Sequence, residues 1–195
     1  MEHHFFAYIS RMKLIQRWGL MRNTMPENDM EHALQCAMIA HALALMGNAR
    51  YGRAYRPEHV MALAVYHDAS EVITGDLPTP VKHHNPAIRQ EYNKLEDIAA
   101  QRLLAMLPPD IRADYAPLIC HDESTDEWKI VKAADRICAY IKCLEERKAG
   151  NLEFASAQRA VEASLQSIGL PEVTDFLREC VPGFSMTLDE ISSPQ

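Results

Sequence analysis

Apolar residues recur along this chain at helical spacing and almost nowhere with the strict alternation of a strand. Residues 10–18 predict a short helix with Ile9, Met12 and Ile15 on one side. A polar connection over 22–29 leads into a second helix, for which Gly47-Asn48 reads as the C-terminal signal. Its inner stripe is His32, Cys36, Ile39 and Leu43, at steps of four, three and four, so His32 is expected to face the core. Pro57 suits the first turn of a third helix. The apolar line Val60, Leu63, Ala64 on that helix runs directly into His67-Asp68.

Asn85-Pro86 opens a long amphipathic helix, with Ile88, Tyr92, Leu95, Ile98 and Ala99 inward and Pro108-Pro109 as its stop. A shorter helical piece follows, to about Cys120. Ser124-Thr-Asp-Glu127 reads as a capping box for a helix reaching Gly150-Asn151, on which Val131, Asp135 and Cys138 share a face. Two more helices, over 152–168 and 171–180, finish the pattern. With no internal repeat, no low-complexity segment and no persuasive strand, the expected fold class is all-α.

Length and composition narrow the picture further. At 195 residues the chain is expected to form one domain over 1–195 with a single sizeable core. A formal charge of −7 argues against a nucleic-acid polymer as partner, which needs a basic surface. The five cysteines, Cys36, Cys120, Cys138, Cys143 and Cys180, are odd in number and lack CxxC spacing, which argues against a disulfide framework or a zinc knuckle. The first residues carry no secretory pattern, and the longest uncharged stretch, 33–48, is too short to span a bilayer. The expected location is therefore the cytoplasm, with no membrane partner.

The candidate chemistry centres on His67-Asp68. An imidazole and a carboxylate at the foot of an apolar helix are costly unless something compensates them, and a bound cation compensates both. His32 and Asp135, on the inner faces of two other helices, complete a set of two nitrogens and two carboxylates. That set suits one divalent ion of the Mn, Fe, Co or Zn class better than calcium. Adjacent helical residues point about 100° apart, so His67 and Asp68 can share an ion only if the helix loosens there. Glu71, four residues beyond His67, would face the same cavity and could orient or deprotonate a water. Asp76, on a stiff loop with Pro78 and Pro80, is a second acid for that pocket. Arg17 offers a forked cation for phosphate, and Trp18 a plane for a base or sugar.

In order, His32, His67-Asp68 and Asp135 resemble the signature of the HD superfamily of metal-dependent phosphohydrolases. Arg17-Trp18, Glu31-His32, Tyr66-His-Asp-Ala-Ser-Glu-Val72, Thr74-Gly-Asp-Leu-Pro-Thr-Pro-Val-Lys82 and Lys132-Ala-Ala-Asp135 extend the match. So do Cys138-Ala-Tyr, Lys142-Cys-Leu-Glu145 and Leu188-Asp-Glu-Ile191. Together they resemble bacterial 5′-deoxynucleotidases of the YfbR type over essentially the whole chain. Met30 departs from the pattern, standing where the family often has a small polar residue, and a packing change is expected there.

The resemblance implies a homodimeric, cytoplasmic HD-domain helical bundle. It implies removal of phosphate from deoxyribonucleoside 5′-monophosphates by attack of metal-bound water, with discrimination against ribonucleotides. It further implies metal ligation by His32, His67, Asp68 and Asp135, and catalytic roles for Glu71, Asp76 and the phosphate-orienting Arg17. Substrate contacts are implied for Arg17, Trp18, His32, Asp68, Asp76, Leu77, Pro78 and Thr79. Two other readings stay open at this point. One is an HD hydrolase for a cyclic diester or a nucleoside triphosphate, and the other a non-catalytic helical module with a structural metal. Read singly, His32 and His121 are hydrogen-bonded core histidines, and Asp135 is a partner of Lys132 or Arg136.

Overall fold

The structure, a computed structural model, describes residues 2–78 and 85–192, and its regular elements are helical. In chain order they are α1 (Phe5–Ile9), a 3-10 turn (Ser10–Leu14), α2 (Asp29–Tyr51), α3 (Pro57–Tyr66) and α4 (Glu71–Thr74). Then come α5 (Pro86–Ala105), α6 (Arg112–Ile119) and α7 (Asp126–Lys148). A 3-10 turn (Leu152–Phe154), α8 (Ala155–Gln166), α9 (Pro171–Glu179), a 3-10 turn (Val181–Ser185) and α10 (Leu188–Ser192) complete it. Among the described residues, β-pairing is confined to an isolated bridge between Gln16 and Asn28. None of the described helices is long and apolar enough to cross a membrane.

The main core lies where α2, α3 and α7 meet. The α2 stripe Cys36, Ile39, Ala40 and Leu43 packs with Val60, Leu63 and Ala64 of α3 and with Val131, Ala134, Ile137 and Cys138 of α7. Alanines 37, 40 and 44 keep that face of α2 low and let its neighbours approach. Leu165, Val173 and Phe176 close the far side. A second cluster gathers Phe5, Ala69, Leu103, Leu104, Leu107 and Ile119 from the α1, α5 and α6 region. His67-Asp68 thus sits where the chain leaves the first core, at Ala64, and enters the second, at Ala69.

Several boundaries differ from the sequence expectation, each for a local reason. The predicted helix over 10–18 lies earlier, and at 15–18 the chain is not helical: Gln16 bridges Asn28 and the Arg17 N–H donates to the Glu27 carbonyl at 2.9 Å. α2 passes straight through Gly47 to end at Tyr51, capped by Gly52 in the left-handed region at φ 64°. Gly47 serves packing instead, since a Cβ there would meet the Tyr55 ring at 2.7 Å. The capping box belongs to Asn28, whose side chain accepts from the Met30 and Glu31 N–H groups at 3.1 Å while Glu31 accepts from the Asn28 N–H at 3.3 Å. At α7 the cap is Thr125, one residue later than expected, and Glu127 turns away to the Arg56 guanidinium at 2.7 Å. On α5 the buried face is Tyr92, Ala99, Ala100, Leu103 and Leu104, while Ile88, Leu95 and Ile98 are exposed. That helix docks through its C-terminal half, which rotates the inner sector towards Leu103.

Candidate active site

The first turn of α2 delivers His32, whose N–H bonds the carbonyl of the capping residue Asn28 at 3.0 Å. α3 stops at Tyr66, and residues 67–70 form turns before α4 begins, which is the loosening that two adjacent ligands require. His67 Nδ1–H donates to the Ala64 carbonyl at 2.7 Å. A carbonyl can only accept, so Nδ1 carries a proton, and in the neutral ring the lone pair is therefore on Nε2, the nitrogen that faces Asp68. Asp135 comes from the middle of α7, on the Val131 and Cys138 face.

These side chains converge. His32 Nε2 lies 3.2 Å from Asp135 Oδ1 and 3.8 Å from Asp68 Oδ2. His67 Nε2 lies 3.0 Å from Asp68 Oδ2 and 4.0 Å from Asp135 Oδ1. Ligand atoms of His32, His67 and Asp135 all fall within 4.8 Å of one another. Both Nε2 atoms are buried and make no aligned hydrogen bond, although carboxylate oxygens stand close by. Two buried nitrogens left unsatisfied beside anionic oxygens form a donor set that a divalent cation fits, because one charge would answer all four groups.

The surroundings are equally ordered. Arg17 Nη1 donates to Asp68 Oδ2 at 3.1 Å and lies 3.6 Å from Asp29 Oδ1. Glu27 Oε1 stands 3.3 Å from His32 Nδ1, and Glu27 Oε2 accepts the Trp18 indole N–H at 3.1 Å. Lys132 Nζ donates to Asp135 Oδ2 at 2.8 Å, leaving Oδ1 facing His32. The Asp135–Lys132 pairing and the convergence on His32 therefore coexist, one carboxylate oxygen for each.

A family model for YfbR-like 5′-deoxynucleotidases matches residues 4–184. A 5′-deoxynucleotidase of Vibrio parahaemolyticus is 54% identical over 192 residues, covering 98% of this chain and 99% of that protein. One of Erwinia tasmaniensis is 55% identical over 190 residues, covering 97% of this chain and 96% of that protein. This chain belongs to the YfbR-like 5′-deoxynucleotidase family.

Solved structures add the fold. An HD-domain phosphohydrolase from Listeria innocua superposes with a TM-score of 0.79 at 22% identity, covering 93% of this chain and 88% of its own. The cyanophage S-2L HD phosphohydrolase DatZ, described as bound to dA and one catalytic Zn2+ ion, gives 0.63 at 20% identity, covering 92% and 95%.

Within this YfbR-like chain, burial and neighbouring charges shift the protonation both of the four converging groups and of the acids around them. Glu71 is 7% exposed, and burial first, then Asp68, Asp29 and Asp76, push its carboxyl up to about 10. Burial and Asp68 likewise push Asp29 up to about 6. Asp68 behaves oppositely: burial opposes its charge, but His67 and Arg17 outweigh that and hold it well below the usual carboxylate range. Burial and Arg17 oppose a proton on His32, yet Asp135 and Glu27 prevail and push it up to about 10. The same cavity therefore holds one carboxyl kept ionised and another kept neutral.

Of the residues expected from sequence, the structure gathers Arg17, His32, His67, Asp68, Glu71 and Asp135. Asp76 follows Gly75, whose φ of 75° turns the chain, and its charge reaches both Glu71 and Asp29. Leu77 and Pro78 are half-buried beside it, whereas Thr79, Lys82, His83 and His84 lie outside the described residues. Trp18 has left-handed backbone at φ 56°, with its ring 5.3 Å from that of Phe154. Sequence reasoning missed Glu27 and Asp29, which look like a loop acid and an ordinary acid in a helix's first turn. It also passed over His121, whose ring stacks on Trp128 at 3.5 Å. Burial, Lys132 and His67 depress its pKa to about 4.

Proposed function

We propose that this chain hydrolyses deoxyribonucleoside 5′-monophosphates to the deoxynucleoside and phosphate, in preference to ribonucleotides. One divalent cation of the Mn, Fe, Co or Zn class would be held by His32, His67, Asp68 and Asp135. The observation that carries this reading is the convergence of two unsatisfied Nε2 atoms on two carboxylates beside Arg17 and Glu71. When bound, such a cation polarises the phosphoryl group and makes water acidic enough to attack near neutral pH.

The chain's own residues supply the rest. Arg17 presents a planar fork to phosphate, and Lys132 adds a point charge on the Asp135 side. Glu71, kept neutral by its setting, has a proton to give to the leaving 5′ oxygen and afterwards a carboxylate to take one back. Trp18, Asp76, Leu77 and Pro78 would contact the nucleoside, and close packing at C2′ would exclude a hydroxyl. Cys36, which stands near His67, is fully buried with its thiol directed at the Val131 carbonyl at 3.9 Å, which speaks for direct hydrolysis rather than a covalent intermediate.

An assay of released phosphate with Co2+ or Mn2+ tests this reading. The four common deoxynucleoside 5′-monophosphates should be cleaved, with dAMP favoured over AMP by about 10²-fold, the scale on which a tightly packed pocket rejects an added group. Failure on every 5′-monophosphate, with metal demonstrably bound, would reject it.

The reading extends to a cytoplasmic homodimer. Met30, Leu34, Met38 and Leu45 form an exposed stripe along α2 that a second copy would cover by twofold packing. Light scattering should give twice the chain mass, and Leu34→Glu should shift it to the monomer.

A further inference from the structure

The segment joining Trp18 to Glu27 carries two groups of the site at its ends but buries little apolar surface of its own, with Leu20 and Met25 both exposed. What fixes it is a buried carboxylate on α7. Glu146 accepts from the Thr24 N–H at 2.9 Å, the Thr24 hydroxyl at 2.6 Å, the Met25 N–H at 3.1 Å and the Asn151 amide at 2.8 Å. Lys142 Nζ donates to Glu146 at 2.5 Å and also to the Met25 carbonyl. The Asn151 amide bonds the Arg22 carbonyl at 2.6 Å as well. Both charged side chains are almost wholly buried.

From this anchor a continuous line of contacts reaches the candidate ligands. Lys142 Nζ stands 5.6 Å from the centroid of the Phe154 ring, and that ring packs on Trp18 at 5.3 Å. Trp18 bonds Glu27, and Glu27 faces His32 Nδ1. Trp18 keeps its left-handed backbone while its carbonyl accepts from Met21 N–H and the Asn23 amide, inside the segment that Glu146 holds. Glu146 lies eleven residues beyond Asp135 on one helix, roughly 16 Å along its axis, too far to touch substrate.

We propose that Glu146, neutralised by Lys142, is a positioning residue for this site. By fixing the turn at Thr24-Met25 it sets where Arg17 and Trp18 meet the substrate and how Glu27 orients His32. The inference rests on the functional reading above, so its test includes measurements that need no turnover.

The test compares the parent with Glu146→Gln, with the paired variant Lys142→Met/Glu146→Leu, and with Thr24→Val/Asn151→Ala. The last leaves the Lys142–Glu146 pair intact and removes the Thr24 hydroxyl's bond to Glu146, the Asn151 amide's bonds to Glu146 and the Arg22 carbonyl, and the Asn151 cap of the Glu153 N–H. Mn2+ affinity, amide exchange over 18–27, and KM and kcat for dAMP are read well below each melting temperature. The expected result is faster exchange at Thr24 and Met25, Mn2+ affinity lowered about tenfold, and kcat/KM lowered about 10–100-fold mostly through KM. A merely structural role would lower the melting temperature and leave Mn2+ affinity and KM at parental values. Parental values in folded Glu146→Gln overturn the proposal, as they do in Thr24→Val/Asn151→Ala should the other two not fold. If the parent cleaves no monophosphate, the functional reading falls, and Mn2+ affinity alone decides for or against the anchor.

Discussion

Asp68→Asn abolishes divalent-cation binding and lowers kcat/KM for dAMP by on the order of 10³-fold or more. The side chain keeps its shape, so the core around His67 is undisturbed, but the oxygen that stands 3.0 Å from His67 Nε2 and 3.1 Å from Arg17 Nη1 loses its charge. A cation at this site would supply several kcal/mol of charge stabilisation in the transition state, and each factor of ten in rate is about 1.4 kcal/mol. Measuring bound Mn2+ alongside phosphate release separates this loss from unfolding. The variant also relieves Glu71, whose raised pKa owes most to burial and next most to Asp68.

Glu71→Gln should leave the metal in place and lower kcat by about 10²–10⁴-fold, the usual range for removing an acid–base group, with KM nearly unchanged. A clear signature comes from stability in the metal-free protein. The folded pKa of Glu71 is raised from 4.5 to about 10. Between those values the folded chain binds a proton that the unfolded chain has released, so stability falls as pH rises above 4.5 towards 10. Melting temperatures with chelator across pH 5–9 should decline in the parent and decline less steeply in Glu71→Gln, where Asp29, raised to about 6, and His32, raised from 6.5 to about 10, still bind a proton that the unfolded chain releases. A slope in the variant equal to the parent's would assign the whole effect to His32 and Asp29.

Much of this site is legible in the sequence because helical periodicity reports burial. The step from His32 to Cys36, Ile39 and Leu43 placed an imidazole in the core, and the line from Val60 to Ala64 placed His67 at its edge. The turn after Tyr66 follows from chemistry too, since His67 and Asp68 could not otherwise share a target. Periodicity fails where the chain is not helical. Glu27 and Asp29 reach the site because Gln16 bridges Asn28, a pairing with no local signature. Periodicity does not fix the phase of α5, because apolar residues occupy more of its surface than the core covers, and only docking at Leu103 and Leu104 decides which sector is inside. Gly47 looked like a helix end because the Tyr55 ring that needs the space lies across a loop.

His32, His67, Asp68 and Asp135 are expected to hold one divalent ion together. The most direct test is anomalous diffraction from crystals of the protein grown with Mn2+. The expected result is a single strong peak per chain, with oxygen or nitrogen atoms of all four side chains at about 2.0–2.2 Å. A peak held by other residues, or no peak in crystals of protein that still cleaves dAMP in the presence of chelator, would contradict it.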